Sequence, residues 1–175
     1  MPCPTEFSTE RMQARRISEF DEPHLAALYQ NPDVMRTLSA DGQPLSDEKI
    51  DWILKTSIEH WEQNSFGLWV FFEKETGLFI GRAGIRRAYV AGKEEVEVAY
   101  ALVPEFWGQG FATEMTQEIV RFAFEEFQLP ELVCFTLVEN IASQKVMERS
   151  GFEFEKRMVH AELPHLLYRM GSLVD

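Results

Sequence analysis

The sequence predicts one domain with a mixed sheet covered by helices, in the α+β or mixed α/β class. Three observations carry that expectation. The 175 residues suit a single domain, which commonly runs roughly 100–200 residues. Apolar residues make up 45% of the chain and include 14 phenylalanines, enough to bury a core without metals or disulfides. The apolar period also changes along the chain. It is helical in the first part, alternates from Phe66, and then runs strand–helix–strand–helix–strand to the end.

The elements follow in order. Residues 1–8 read as a flexible N-terminal lead. Around residues 9–18, Met12, Ala14 and Arg16 alternate with Arg11, Gln13 and Arg15, which predicts a short strand. A helix over 21–29 takes Asp21 as N-cap with Pro23 in its first turn, and Asn31-Pro32 breaks it. A second helix, 46–62, opens at Ser46 and carries Ile50, Ile53, Leu54, Ile58 and Trp61 on one face. Residues 66–73 and 78–89 form a hairpin across the polar turn Lys74-Glu75-Thr76-Gly77. Gly81 and Gly84 mark a bulge or a close backbone approach.

A third strand over 93–103 alternates Val96, Val98 and Tyr100 with Glu95, Glu97 and Ala99, and Pro104 ends it. The long helix 110–127 has Met115, Ile119, Phe122 and Ala123 at helical spacing. Residues 132–138 read as a buried strand, and 140–150 as a helix stopped by Gly151. Residues 152–159 and 166–173 close the sheet as a pair. The crossover through the long helix predicts that strands 97–103 and 132–138 run parallel.

Seventeen Lys and Arg against 29 Asp and Glu give a net charge of −12. Such a chain repels a phosphate backbone and no basic cluster offsets it, so nucleic acid is not an expected partner. Two cysteines, Cys3 and Cys134, fit free thiols in a cytosolic chain. The start has no signal-like apolar run, and no uncharged stretch approaches the roughly 18 residues of a spanning helix. The expectation is a cytoplasmic protein without a membrane partner. His24, His60, His160 and His165 form no ligand pattern, so no metal is expected.

The segment Val103-Pro-Glu-Phe-Trp-Gly-Gln-Gly-Phe-Ala-Thr-Glu114 sets Gly108 and Gly110 between a strand and a helix start. Converging N–H groups and the helix dipole make such a turn an anion site suited to phosphate or pyrophosphate. A plain loop that needs glycine for its backbone angles is the other reading. No Gly-Lys-Ser or Gly-Lys-Thr of a P-loop occurs, and Thr113 stands where a dinucleotide fingerprint needs its third glycine.

Three pieces of the chain together carry a resemblance. They are the run from Glu97-Val-Ala-Tyr100 through Glu114; Asn140-Ile-Ala-Ser-Gln-Lys-Val-Met-Glu-Arg-Ser-Gly-Phe152; and Thr9-Glu-Arg-Met12 with Asn31-Pro-Asp-Val-Met35 and Gly81-Arg-Ala-Gly-Ile85. In order and spacing, over nearly the whole chain, the sequence resembles the GCN5-related N-acetyltransferase (GNAT) superfamily. Within it, the likeness is to the RimJ/RimL-type ribosomal-protein acetyltransferases. The resemblance implies one GNAT domain over residues 1–175, with a central, largely antiparallel sheet and a parallel, splayed strand pair.

It further implies acetyl-CoA as co-substrate. The family's Q/R-x-x-G-x-G/A loop falls on residues 107–112, with Trp107 in the Gln or Arg position and Gly110 and Ala112 matching. Backbone N–H groups of Gln109, Gly110, Phe111, Ala112 and Thr113 then cradle the CoA pyrophosphate. The backbone of Ala101, Leu102 and Val103 flanks pantetheine, and Asn140 and Ser143 meet its far end.

The implied reaction is attack of a neutral amine on the thioester. An α-amine has a pKa of about 8, so a base or water relay must take a proton. Glu97 is the candidate base, acting through a water; a solvent-facing glutamate beside Glu94 and Glu95 is its other reading. A backbone N–H near Tyr100 is the expected oxyanion donor. The family's tyrosine acid falls on Met147, which cannot donate, leaving Ser143 as the candidate acid or else a cap or pantetheine contact. Cys134 reads as a buried structural thiol and Trp107 as core packing or a neighbour of the loop.

The implied acceptor is a primary amine, foremost a protein N-terminal α-amine. A small amine such as a polyamine, amino acid or antibiotic is the alternative, as is a catalytically silent acyl-CoA-binding sensor. Helix 46–62 and loop 40–45 fall on the acceptor side, and the chain is expected as a monomer or homodimer.

Overall fold

The structure, a computed structural model, describes residues 4–172. Cys3 and the last residue of the strand expected over 166–173 lie outside those residues. Among the described residues eight strands form one sheet in the order β1-β2-β3-β4-β5-β6-β8-β7. They are β1 (Glu6–Ser8), β2 (Met12–Arg16), β3 (Leu68–Glu73), β4 (Phe79–Val90), β5 (Lys93–Leu102), β6 (Glu131–Leu137), β7 (Glu153–His160) and β8 (Leu163–Gly171). All neighbours are antiparallel except β5 and β6. Among the described residues five α-helices cover it: α1 (Glu22–Tyr29), α2 (Pro32–Leu38), α3 (Asp47–Asn64), α4 (Phe111–Glu125) and α5 (Ile141–Arg149). Among the described residues no helix is long and apolar enough to cross a membrane.

Two features depart from the sequence reading. Residues 6–8 are a strand and not a flexible lead. Phe7 packs edge-on against Trp69, Phe71 and Phe122, and that apolar anchor holds the segment in register with β2. The second is α2, which starts at the Pro32 that ends α1. Asn31 caps it, its Oδ1 accepting from the N–H groups of Asp33 and Val34. Proline at a first helical position needs no N–H partner, so the residue that stops one helix opens the next.

Asp21 precedes α1 but its carboxylate does not cap it. It accepts from both terminal nitrogens of Arg15, at 2.7 and 2.8 Å, and from the Ser18 N–H, and it pairs with His24 Nδ1. Ser46 does cap α3, accepting from the Lys49 N–H. The hairpin glycine marks a close approach: a Cβ at Gly84 would lie 2.1 Å from the Gly67 carbonyl oxygen.

Register determines which side chains share a face. Arg82 lies opposite Ala101, Arg86 opposite Glu97, and Ala83 opposite Tyr100, without a shift in this ladder. Neighbours along a strand point to opposite faces. The Arg82 side chain donates to the Tyr29 hydroxyl of α1, whereas the Tyr100 hydroxyl reaches Ser143 of α5. Arg82, Arg86 and Glu97 therefore face α1, and Tyr100 faces the side covered by α5 and its neighbour α4.

Candidate active site

The parallel pair β5–β6 holds one register pair, Glu97 with Val133, and beyond it the strands diverge. Hydrogen bonds define which backbone groups line the gap. Val103 donates its N–H to Ile80 O at 2.9 Å, toward β4. Val98 and Leu102 turn the other way: Val98 O accepts from Cys134 Sγ at 3.2 Å, and Leu102 O from Trp107 Nε1 at 2.9 Å. Alternation then puts the N–H groups of Val98, Tyr100 and Leu102 on the gap edge. Of the three residues expected to flank pantetheine by backbone, Leu102 faces the gap; Ala101 and Val103 turn their N–H groups to β4.

Past the end of β5 the chain turns through Gly108 and Gly110, with φ of +71° and +82°, a left-handed backbone that favours glycine. Gly110 is the N-cap of α4. The first protein-bonded amide after this turn is Glu114, which donates to Gly110 O. Among the described residues, the N–H groups of residues 108–113 donate to no protein acceptor. Six consecutive free donors at the positive end of a helix dipole form an anion cradle.

A residue distant in sequence holds this cradle. Arg11 donates to Glu114 through its Nε and its backbone N–H, and its Nη1 donates to Gln109 O at 2.8 Å. Its guanidinium lies 4.0 Å from the Phe111 ring centroid. Burial alone would raise the Glu114 carboxyl, but bonds from Thr9 and Arg11 outweigh it and hold the group below the usual carboxylate range.

The ionisable candidates divide between the two faces. Glu97, 5% exposed, sits where β5 and β6 diverge and accepts from Arg86 Nε at 2.7 Å. Its charge holds the Arg86 guanidinium above its usual pKa. Phe135, His160 and His165 cluster on this face beyond Val133, with His160 4.7 Å from the Phe135 ring. Burial lowers the His160 pKa. On the other face, the Tyr100 hydroxyl and Ser143 Oγ are 2.7 Å apart, and burial pushes the tyrosine pKa up, which keeps it protonated.

Asn140 caps α5, its Oδ1 accepting from the Ser143 N–H at 3.1 Å. Cys134 is buried, and burial raises its thiol pKa well above the usual value. Met147, 1% exposed, is core. Two groups of the candidate site escaped the sequence reading. Tyr100 alternates with Val96 and Val98 and so reads as core, although its hydroxyl crosses to α5. Arg11 lies within the Thr9-Glu-Arg-Met12 piece, but the fold alone brings it to the loop.

A splayed parallel pair beside an amide cradle is the layout of an acyl-CoA-dependent transferase. Residues 11–153 match the acetyltransferase (GNAT) domain, and the chain belongs to that family. It is a GNAT acetyltransferase, and acetyl-CoA is the family's acyl donor. The protein YkkB of Bacillus subtilis (strain 168) is 26% identical over 180 residues, covering 98% of this chain and 99% of its own. The FsC-acetyl coenzyme A-N(2)-transacetylase of Aspergillus fumigatus is 34% identical over 155 residues, 82% of this chain and 63% of that protein. Among solved structures, RimL, a ribosomal L7/L12 α-N-protein acetyltransferase in complex with coenzyme A, superposes with a TM-score of 0.79. It has 18% identity and 98% of each chain is covered.

Proposed function

We propose that this protein transfers acetyl from acetyl-CoA to a primary amine, foremost the α-amine of a protein N-terminus. The observation that carries the reading is the run of six unpaired amides, residues 108–113, past the end of a strand whose parallel pairing stops at Glu97 and Val133. The amides of residues 109–113 hold the CoA pyrophosphate. The gap-facing amides of Tyr100 and Leu102 pair with the thioester arm, and Asn140 and Ser143 meet pantetheine from α5.

The amine arrives from the α1 face, where Glu97 takes its proton through a water. The departing thiolate lies on the α5 face, where the Tyr100 and Ser143 hydroxyls supply a proton. A thiol with a pKa of about 8.5 leaves readily, so the tyrosine contributes less than the base. This tyrosine fills the chemical role left open by Met147.

The α-amine acceptor is supported by the likeness to RimL, named for an α-N-protein acceptor. A second reading, a small amine, is supported by the Aspergillus relative, whose name specifies an N(2) acceptor. Thiol release from acetyl-CoA tests both against peptides with N-terminal Ala, Ser and Met, polyamines, amino acids and aminoglycosides. Turnover of peptides alone supports the first reading, and turnover of small amines alone replaces it with the second. Acetyl-CoA binding without turnover of any amine contradicts both and points to an acyl-CoA sensor.

A further inference from the structure

Arg82 stands out among the arginines of the described residues. It is 9% exposed, and its one hydrogen bond runs from Nε to the Tyr29 hydroxyl at 3.0 Å. Its two terminal nitrogens donate to no protein acceptor and it pairs with no carboxylate. A buried guanidinium with a neutral partner is costly, since its charge has left water without compensation. Acidic partners are abundant in a chain of 29 Asp and Glu. Arg169, a little more exposed, pairs with Glu95, Glu131 and Glu155.

Arg82 lines a cleft of about 160 Å³ with Tyr29, Trp52, Ser57, Arg86 and Arg87. At about 30 Å³ per water this admits a carboxylate and a few more atoms. Arg86 and Glu97 neutralise one another, and Arg87 reaches the exposed Glu94 at 3.4 Å. Arg82 thus leaves the cleft with one uncompensated positive charge in an otherwise acidic protein. A planar guanidinium end matches a carboxylate in shape as well as charge.

We infer that Arg82 binds a carboxylate on the acceptor, so that this enzyme selects amines carrying an acidic group about two residues from the nitrogen. The inference rests on the acetyl-transfer reading above, which puts the amine at Glu97. Glu97 is level with Arg86, and Arg86 stands four positions along the strand from Arg82, about 13 Å between Cα atoms. Side-chain reach shortens that span to the length of a dipeptide. The carboxylate is either the C-terminus of a dipeptide or an acidic side chain at position two of a longer chain.

The test uses product-like probes on the full chain saturated with CoA, read by the guanidinium ¹⁵N–¹H resonance that Arg82→Gln removes. N-acetyl-Ala-Ala is compared with its C-terminal amide, and N-acetyl-Ala-Glu-amide with N-acetyl-Ala-Gln-amide. The expected result is a saturable shift with one carboxylate probe or both, at least about tenfold weaker for the matching carboxamide. The pair that responds identifies the source of the carboxylate. Equal response within both pairs, or no response to either carboxylate, overturns the inference. The wild-type comparison stands even if Arg82→Gln does not fold, since resonances can then be assigned through Tyr29→Phe, which alters the Arg82 Nε partner.

Thiol release with the unacetylated forms of both pairs, Ala-Ala against its C-terminal amide and Ala-Glu-amide against Ala-Gln-amide, separates the two claims. Equal turnover within both pairs keeps the acetyltransferase reading and removes the role of Arg82. A preference for the acidic peptide that survives Arg82→Gln also removes it.

Discussion

Glu97 and Tyr100 stand three positions apart on β5, an odd step that sends their side chains to opposite faces of the sheet. The division suits a reaction in which one proton leaves the amine and another reaches the thiolate. Glu97→Gln is expected to lower kcat by about 100-fold while leaving the acetyl-CoA Kd within about twofold; an unchanged rate at every pH removes Glu97 as base. Tyr100→Phe is expected to cost less, about tenfold in kcat, given the leaving thiol's low pKa. A larger loss than that of Glu97→Gln would reverse the ranking. Asp21 gives a prediction about stability. Burial would raise its carboxyl, but Arg15, the Ser18 N–H and His24 outweigh it and hold the pKa below the usual range. A depressed carboxylate contributes stability that is complete above its unfolded value, about 3.9, and lost as pH falls through the lower folded value. Asp21→Asn should therefore cost about 2 kcal/mol at neutral pH and progressively less below pH ~4. Denaturant melts across that range check it, and a pH-independent cost contradicts it. Glu97 was legible as a residue type on a strand before a glycine loop. Its partner Arg86 was not, because that pairing depends on the β4–β5 register.

At the scale of elements, the loop before α4 does the most with the fewest residues. Two left-handed glycines turn the backbone so that six amides remain free, and Arg11 fastens the turn from the far end of the sheet. Gly110→Trp is expected to weaken acetyl-CoA binding by about 100-fold or more in a folded variant, since the backbone there is left-handed and must approach its ligand closely. Titration calorimetry with a circular-dichroism control reads this, and normal affinity in the folded variant removes the loop assignment. Most elements were legible because their periods are long and clean, as in α3, α4, β4 and β5. The two that were not are short. β1 has three residues and is held by Phe7 on three distant rings. α2 begins at a proline that also ends α1. Neither depends on a period, so neither leaves one in the sequence.

At the scale of the molecule, one strand pair organises everything else. The helical crossover from β5 to β6 makes the pair parallel, and the pair keeps a single register contact at Glu97 and Val133. The anion cradle lies past the end of β5, before α4, and the arginine-lined cleft lies against α3 and β4. Topology and the cradle were readable from strand–helix order and glycine placement. The choice of gap-facing amides was not, since a backbone pattern does not say which edge meets β4. Amide hydrogen exchange with and without acetyl-CoA tests the central claim most directly. Slowed exchange is expected at residues 109–113 and at Tyr100 and Leu102, with Ala101 and Val103 unchanged because they already bond to β4. Unchanged exchange at residues 109–113 in protein saturated with acetyl-CoA would contradict that claim.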